Sequence, residues 1–406
     1  MPHKQLLEEA LANAGEITAH RRRLHACPGV GFDLEDTTAY INEALTALGY
    51  TPRRCGKAGL VAVAGGKRPG KTLLLRADMD ALPMREESGL PFAAQNGCAH
   101  ACGHDLHAAM LLGAARLLKQ HEEELCGAVK LMFQPAEELL AGAEDMLKNG
   151  VLNDPTVDAA VMLHVLPGLP LPPGTVIVPP AGPGAPAADY FEIHVQGKGC
   201  HGSMPHNGVD ALTAAAHILV AFQEIHAREL PLGERAVLTI GTLQGGTAAN
   251  ALADAALLTG TLRAFDDHTR ALLKRRMEEI AKSIAAAFRA GARVEYTAGC
   301  PVLVNDPGLT AAAETVLQPV FEERCLPTAK LAALFAGEKN TQAGGSEDFA
   351  YVSRKVPTLM LALAGGRPEQ GYCFPLHHPK VVFDESALPY GAAAYAVMGM
   401  ELTMDS

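Results

Sequence analysis

Apolar and polar positions along the first half of the chain form blocks that predict strands and helices in turn. Short apolar runs of strand length end in polar or charged residues. They are 59–64, 72–77, 128–133 and 157–163. Segments with helical spacing occur at 4–26, at 36–48 and from His104 onward. Because the strands alternate with helices, this half predicts an α/β sheet.

A run rich in Pro and Gly at 168–187 interrupts this pattern and predicts a connector. The segment after it follows the order strand, helix, strand, strand, helix, strand, which is the split order of a ferredoxin-like domain. The earlier helix–strand pattern resumes near Pro301. We therefore predict an α/β protein whose mixed-sheet domain, 1–187 and 300–406, contains an inserted ferredoxin-like βαββαβ domain at 188–299.

Composition narrows the class of protein. A length of 406 residues with 48% apolar positions is sufficient for two domains with substantial cores. The net charge of -11 argues against a nucleic-acid partner, which requires a basic face. Nine irregularly spaced cysteines favour a reducing compartment. With no signal peptide and no apolar run of membrane length, we expect a cytoplasmic protein with no membrane partner.

Metal-ligand chemistry is concentrated at the ends of the predicted strands. Cys102 and His104 stand two residues apart, directly before a helical segment, so that one ion can contact both. In open α/β sheets, the carboxyl ends of the strands are where ligands bind. The candidate ligands in such positions are Cys102, His104, Glu138, His164 and His377. This scattered set of thiol, imidazole and carboxylate predicts a metal hydrolase.

The neighbouring carboxylates Glu137 and Glu138 could take two different roles at such a centre, metal binding and proton transfer. Two divalent ions close together polarise a carbonyl and generate hydroxide at neutral pH. One carboxylate can bind metal while its neighbour takes the proton from the attacking water.

An ordered series of motifs then resembles a known family. The motifs lie at 76–83 (RADMDALP), 100–105 (HACGHD), 134–138 (QPAEE), 197–206, 260–263, 344–349 and 376–379. In this order they resemble the aminoacylase/carboxypeptidase family of dinuclear metallohydrolases over nearly the whole chain. The branch they resemble is that of hippurate hydrolase, indole-acetyl-amino-acid hydrolase and N-acetyl-diaminopimelate deacetylase.

The resemblance implies a ligand set for two divalent ions, zinc or manganese. Cys102 matches the ligand that bridges both ions. His104 and His164 would complete one site, and Glu138 with His377 the other.

The resemblance also implies roles around the metals. Glu137 matches the general base that carries the proton to the leaving amine, and Asp80 matches a carboxylate that orients a neighbouring group. His201 matches the histidine that steadies the oxyanion in a neighbouring subunit's site. Asn250 and Arg263 match positions that hold the substrate's backbone or carboxylate.

The activity implied is hydrolysis of the amide bond of a small N-acyl amino acid to a carboxylate and a free amino acid, by metal-bound hydroxide. Residues 1–187 and 300–406 would form the catalytic metal-binding domain. Residues 188–299 would form a lid and dimerisation domain, which implies a homodimer or higher homo-oligomer.

Two other functions stay open at this point. A dipeptidase or aminopeptidase on the same scaffold would need an acid for the substrate's free ammonium, and Glu347–Asp348 offers one. A non-catalytic binding protein could have kept the fold, although the complete ligand set argues against it.

Several single residues have simpler interpretations. Cys98 and Cys102 could form half of a structural zinc site, and Glu137–Glu138 could begin a helix. His378 competes with His377 for one role. His201 could be a surface histidine, and Arg263 could pair with a nearby aspartate.

Overall fold

The structure is a computed structural model that describes residues 3–334 and 345–404. Its strands are β1 (Arg53–Cys55), β2 (Gly59–Gly65), β3 (Thr72–Asp78), β4 (Ala128–Gln134), β5 (Ala159–Leu166), β6 (Val176–Ile177), β7 (Gly182–Ala185), β8 (Ala187–Gln196), β9 (Ala236–Gly245), β10 (Ala255–Ala264), β11 (Gly291–Cys300), β12 (Leu303–Asn305), β13 (Cys325–Leu326) and β14 (Thr358–Ala364). Its α-helices are α1 (His3–Ala12), α2 (Ala14–His25), α3 (Glu35–Ala47), α4 (His104–Gln120), α5 (Gly142–Lys148), α6 (Ala211–Ala221), α7 (Asp267–Ala287), α8 (Pro307–Phe321), α9 (Thr328–Leu334), α10 (Ala350–Ser353) and α11 (Leu388–Leu402). The predicted α/β class is confirmed.

One compact unit contains the described residues of 3–184, 304–334 and 351–404. Its sheet has eight strands in the order β1-β2-β4-β3-β5-β14-β6-β13. The central strands β4, β3, β5 and β14 pair in parallel. Every residue of β3 and β4 is buried, as expected for parallel strands that are covered on both faces. α4 is apolar and buried for most of its length, because it packs against α2 and α11 as well as the sheet.

The register of the central strands explains why the polar strand ends come together. Asp78 at the end of β3 lies opposite Gln134 at the end of β4, and Arg76 lies opposite Met162 of β5. The loops that follow β3 and β4 therefore leave the same edge of the sheet, beside β5.

Two local predictions are wrong. The Pro- and Gly-rich run at 168–187 is more than a connector, because β6 lies between β14 and β13 and β7 pairs with β12. These strands are two and four residues long, so their pairing partners rather than their own sequence define them. In addition, β5 continues through Leu166, so His164 lies inside the strand and not after its end.

The second compact unit comprises Ala185–Leu303 together with the described residues 345–350. Its element order β8-α6-β9-β10-α7-β11 is the predicted βαββαβ order, and its antiparallel sheet is arranged β11-β8-β10-β9. Phe191, Ile193 and Val195 alternate along β8 into a core shared with α6 and α7. The other face of the sheet carries no helix from the described part of this unit.

No helix within the described ranges is long and apolar enough to cross a membrane.

Candidate metal centre

The five predicted ligands lie together in the first unit, at the sheet edge where β3 and β4 end. The ligand atoms of Cys102, His104 and His164 lie within 4.8 Å of one another. Those of Cys102, Glu138 and His377 satisfy the same limit. The two groups share Cys102, which is the position of a ligand that contacts two ions.

Individual distances and burial define the cluster further. Cys102 Sγ lies 3.6 Å from His164 Nε2, and His377 Nε2 lies 3.3 Å from Glu138 Oε1. Cys102, His104 and His164 are buried, whereas the His377 side chain is 53% exposed. The cluster is therefore enclosed by protein on the side of β5 and α4 and is accessible beside His377.

Unusual backbone conformations place several of these side chains. Gly103 has a φ of +87°, and a Cβ there would lie 2.4 Å from Val165 Cγ1, so only glycine allows the turn between Cys102 and His104. His377 and Ala136 also adopt positive φ, 64° and 53°. Non-glycine residues in this region are strained, and such strain is concentrated at functional sites.

Asp80 orients two parts of the cluster at once. Its carboxylate accepts hydrogen bonds from Glu137 N at 3.1 Å and Glu138 N at 3.2 Å. Its main-chain oxygen lies 2.9 Å from His104 Nδ1. Because a carbonyl oxygen only accepts, Nδ1 is the donor, and Nε2 of His104 is directed to the cluster.

Asp78 and His107 form a second supporting pair. His107 could be expected from the sequence to support the ligands, but its pairing with Asp78 was not predicted. His107 Nδ1 donates to Asp78 Oδ1 at 2.6 Å, and His107 Nε2 accepts from Val165 N at 2.8 Å. His164 Nδ1 in turn donates to the oxygen of Val165 at 2.8 Å. The signal was available, because His107 follows His104 by three residues and shares its helix face.

Glu137 lies beside the ligands without belonging to either group that shares Cys102. Its carboxylate oxygen is 3.9 Å from His104 Nε2, and the residue is 6% exposed. Glu137 and Glu138 occupy a turn before α5 and not the start of a helix. The arrangement leaves a carboxylate adjacent to the place where a metal-activated water would react.

Burial dominates the electrostatics of the cluster. It raises the pKa of the Cys102 thiol to about 12 and lowers the pKa of His164 to about 3. Burial opposes ionisation of Asp78 as well, but His104 and Arg76 lower its pKa well below the usual value. A neutral imidazole is the form that binds a metal ion, and a bound cation deprotonates a coordinating thiol.

The residues fit two divalent ions. Within the described ranges, His104 Nε2 is buried without a hydrogen-bond partner, which is unfavourable unless another group satisfies it. Thiolate, imidazole and carboxylate together suit zinc or manganese. The shared thiol accounts for a pair of ions better than for a single one.

The competing interpretation of His378 has a structural answer. Its ring stacks on Phe374 at 4.4 Å between centroids, and Nδ1 accepts from Lys380 N. His377 is the member of the pair whose nitrogen lies in the ligand group.

The remaining predicted site residues lie in the second unit. His201 and Asn250 are both exposed. They are neighbours, because Gly202 N donates to the main-chain oxygen of Asn250 at 2.7 Å and His201 forms an antiparallel β-bridge with Ala251. Arg263 lies on β10 with its guanidinium 5.5 Å from the Tyr190 ring. Within the described residues, its Nη1 is buried without a partner.

Comparison with known proteins supports the same chemistry. Residues 74–400 match the sequence model of peptidase family M20/M25/M40. The chain is 36% identical over 375 residues to an N-acetyl-L-cysteine deacetylase of Bacillus subtilis, covering 92% of this chain and 85% of that protein. It is 34% identical over 378 residues to an N-acetyldiaminopimelate deacetylase of B. subtilis, covering 92% and 95%.

Solved structures agree with the sequence relatives. A dinuclear metal-binding peptidase of the M20 family from B. subtilis superposes with a TM-score of 0.79 at 31% identity, covering 97% of this chain and 99% of the other. The resemblance predicted from the ordered motifs is confirmed. The chain belongs to peptidase family M20/M25/M40.

Proposed function

We propose that this protein is a metal-dependent amidohydrolase that cleaves the amide bond of N-acyl amino acids and releases a carboxylate and a free amino acid. One observation carries the proposal. The ligand atoms of five residues distant in sequence form two groups within 4.8 Å that share Cys102. The names of the deacetylase relatives support an N-acyl substrate class.

Cys102, His104 and His164 would hold one ion, and Cys102, Glu138 and His377 the other. When bound, the two ions polarise the scissile carbonyl and acidify a water molecule. The thiol favours zinc, while the imidazole and carboxylate ligands also accept manganese.

Glu137 performs the proton transfers in this proposal. Its carboxylate takes the proton of the attacking water and then delivers it to the leaving nitrogen. Asp80 holds the Glu137 main chain in place through the 3.1 Å hydrogen bond, which limits the positions that the base can adopt.

His201, Asn250 and Arg263 supply the substrate contacts. His201 donates to the carbonyl oxygen as negative charge develops on it, which is the usual task of a preorganised donor. Arg263 has an unpaired buried nitrogen and suits the carboxylate of the amino-acid product. Asn250 holds the substrate backbone beside His201.

The second unit, for which the sequence predicts the boundaries 188–299, would act as lid and dimerisation domain in a homodimer. Leu212, Ala216 and Val220 are exposed at four-residue intervals on one face of α6. β9 forms one edge of the four-stranded sheet in this unit. An exposed apolar helix face and an open strand edge are both typical of surfaces that another chain covers.

We further propose a cytoplasmic location. All nine cysteines are free, which fits a reducing compartment.

A substrate panel with a base variant tests the proposal. The metal-free protein is loaded separately with Zn²⁺ and with Mn²⁺ and assayed on N-acetyl and N-benzoyl amino acids. Glu137→Gln should lower kcat by about 10²–10⁴-fold while metal content is unchanged, because only the proton transfer is lost. Glu144→Gln, an exposed acid on α5, is the matched control.

The alternative of a dipeptidase or aminopeptidase is decided in the same assay. That activity needs an accessible acid for the substrate's ammonium, yet Glu347 and Asp348 are 4% and 0% exposed, and Glu347 accepts from Phe349 N. Faster hydrolysis of unblocked dipeptides than of N-acyl amino acids would favour the alternative. Unchanged kcat in Glu137→Gln would refute the assigned base.

A further inference from the structure

A buried charged cluster lies between α2 and the start of α4, outside the ligand groups. Arg21 and His25, one turn apart on α2, are 1% and 4% exposed. Both contact one carboxylate oxygen of Asp105, Arg21 Nε at 2.7 Å and His25 Nδ1 at 2.8 Å. Asp105 is the residue after His104. The first turn of α4 is thus bound to α2 through charge-assisted hydrogen bonds.

His25 also reaches a second acid. Its Nε2 lies 3.0 Å from Glu86 Oε1, and Glu86 Oε2 accepts from Ala94 N at 2.7 Å. Because each ring nitrogen faces a carboxylate oxygen, both carry hydrogen, and His25 is an imidazolium. Arg21 Nη1 donates to a third acid, Glu385 Oε1, at 3.0 Å. The cluster therefore joins two cations to three carboxylates.

The cluster lies directly behind the loop that carries Cys102. His100 in that loop is buried, with its ring centroid 6.1 Å from that of His25. Leu82 and Ala99 exchange two main-chain hydrogen bonds, and Ala101 O accepts from His377 N at 2.8 Å. The ligand-bearing segment is thus fixed by the main chain on one side and by Arg21, His25 and Asp105 on the other.

We propose that Arg21 and His25 are positioning residues for the metal centre, which they act on through Asp105. They set the orientation of the first turn of α4 and so of Cys102 and His104. This inference rests on the two-ion centre proposed above.

The contacts of Arg21 and His25 bear on where the first turn of α4 lies more than on the stability of the protein. Replacing a buried ion pair with apolar residues is often neutral for stability or stabilising, so the pairs are poor evidence for a purely structural role. Hydrogen bonds of 2.7 and 2.8 Å to Asp105 Oδ2, in contrast, restrain where this carboxylate lies, and with it the first turn of α4 that carries His104. Groups that orient metal ligands from outside the ligand set typically change metal affinity or activity by about 10–100-fold when removed.

Cobalt titration of the full-length protein tests the proposal. Metal-free wild type, His25→Gln, Arg21→Met and Arg21→Lys are titrated with Co²⁺, and the thiolate-to-cobalt absorption band and d–d bands are recorded. Thermal unfolding in EDTA confirms that each variant is folded before titration. Arg116→Met is the matched control, because Arg116 joins the same two helices through an exposed ion pair with Glu16.

Variants that lose a contact to Asp105 should differ from the variant that loses another ion pair between the same two helices. His25→Gln and Arg21→Met should bind Co²⁺ about 10–100-fold more weakly, with altered d–d bands, because the ligands are less well oriented. Arg21→Lys should recover affinity, since lysine keeps a cation and a donor for Asp105. Arg116→Met should match wild type. His25→Gln is the mildest change and decides the question if Arg21→Met does not fold.

Two results would contradict the proposal. The first refutes only the positioning role, and the second also refutes the two-ion centre. If folded His25→Gln binds Co²⁺ with the affinity and spectrum of Arg116→Met, the positioning role is wrong while the metal centre stands. If wild type takes up no Co²⁺, the two-ion centre is wrong and the positioning role fails with it.

Discussion

The predicted site residues of the two units differ in how firmly they are held. In the first unit, His104 is fixed by Asp80, and the main chain beside His164 is fixed by His107. In the second unit, His201 and Asn250 are exposed, and the His201 ring forms a hydrogen bond with Ser203 Oγ, two residues away. His104 and His164, two of the proposed metal ligands, are thus oriented by the protein itself, whereas the proposed substrate contacts His201 and Asn250 are not.

This difference in rigidity follows from what each proposed set of residues has to bind. Metal ligands must converge within a few tenths of an ångström, which requires rigid strands, a helix start and supporting hydrogen bonds. Residues that contact substrate can be ordered by the substrate itself or by a second chain. We therefore expect changes to the groups that hold the proposed metal ligands to alter metal binding and stability, and changes to His201 or Asn250 to alter turnover alone.

Among the changes that test this comparison, the largest effect is expected at the exposed His201. His201→Ala should lower kcat by about 10²–10³-fold, because one donor to the developing oxyanion is lost. The free energy of unfolding should not change, since the residue is exposed. His206→Ala, exposed nearby, is the control.

Mixing variants tests whether His201 acts across an interface. His201→Ala and Glu137→Ala, each inactive alone, should regain part of the activity when mixed as heterodimers. A mixture that stays inactive after subunit exchange would place His201 in its own chain's site.

The second effect is a pH dependence of stability in the buried cluster. Burial lowers the pKa of His25, but Asp105 and Glu86 outweigh burial and raise it from 6.5 to about 9; Arg21 opposes them, and His100 lies beside the ring. Since the folded-state pKa is the higher one, the stabilisation is complete below pH 6.5 and is lost as pH rises to about 9. It amounts to roughly 3 kcal/mol.

Urea unfolding of the metal-free protein at several pH values measures this loss. Wild type should lose stability relative to His25→Gln across that window. Parallel curves for the two proteins would contradict the assignment of His25 as the titrating group.

The third effect concerns the hydrogen bond that supports His164. His107→Phe keeps the ring but removes both hydrogen bonds, to Asp78 and to Val165 N, so Co²⁺ affinity should fall by about 10–100-fold. His217→Phe, at a histidine that packs on Phe288 in the second unit, should leave the affinity unchanged. Equal affinities for the two variants would contradict the supporting role.

The smallest effect should be the same in both units. Asp210 caps α6 by accepting from Leu212 N and Thr213 N, and Asp306 caps α8 by accepting from Leu309 N. Replacing either aspartate with alanine should cost about 1 kcal/mol of unfolding free energy. A much larger cost in one unit would show that its cap does more than end a helix.

Much of the fold could be predicted from the sequence because local patterns determine it. The apolar runs of β2, β3 and β4 and the Asp-capped helix α6 were recognisable from residue type and spacing. The strands β6 and β7 were not, because pairing with distant strands defines them. The end of β5 was misplaced because Val165 and Leu166 extend the apolar run past His164.

The candidate site also has a part that the sequence predicts and a part that it does not. Residue types and strand ends indicated a metal centre, and the ordered motifs assigned the individual ligands by resemblance. The Asp78–His107 support and the Arg21–His25–Asp105 cluster join residues up to 84 positions apart. The spacing of His107 from His104 marks that histidine, but no periodic pattern pairs Asp78 with His107 or Arg21 with Asp105, so the packed structure is needed to reveal these contacts.

Anomalous diffraction at the zinc absorption edge, from crystals of the Zn²⁺-loaded protein, tests the central claim most directly. The proposal predicts two anomalous peaks, each about 2.3 Å from Cys102 Sγ, one beside His104 and His164 and the other beside Glu138 and His377. A single peak, or two peaks that do not share Cys102, would contradict it.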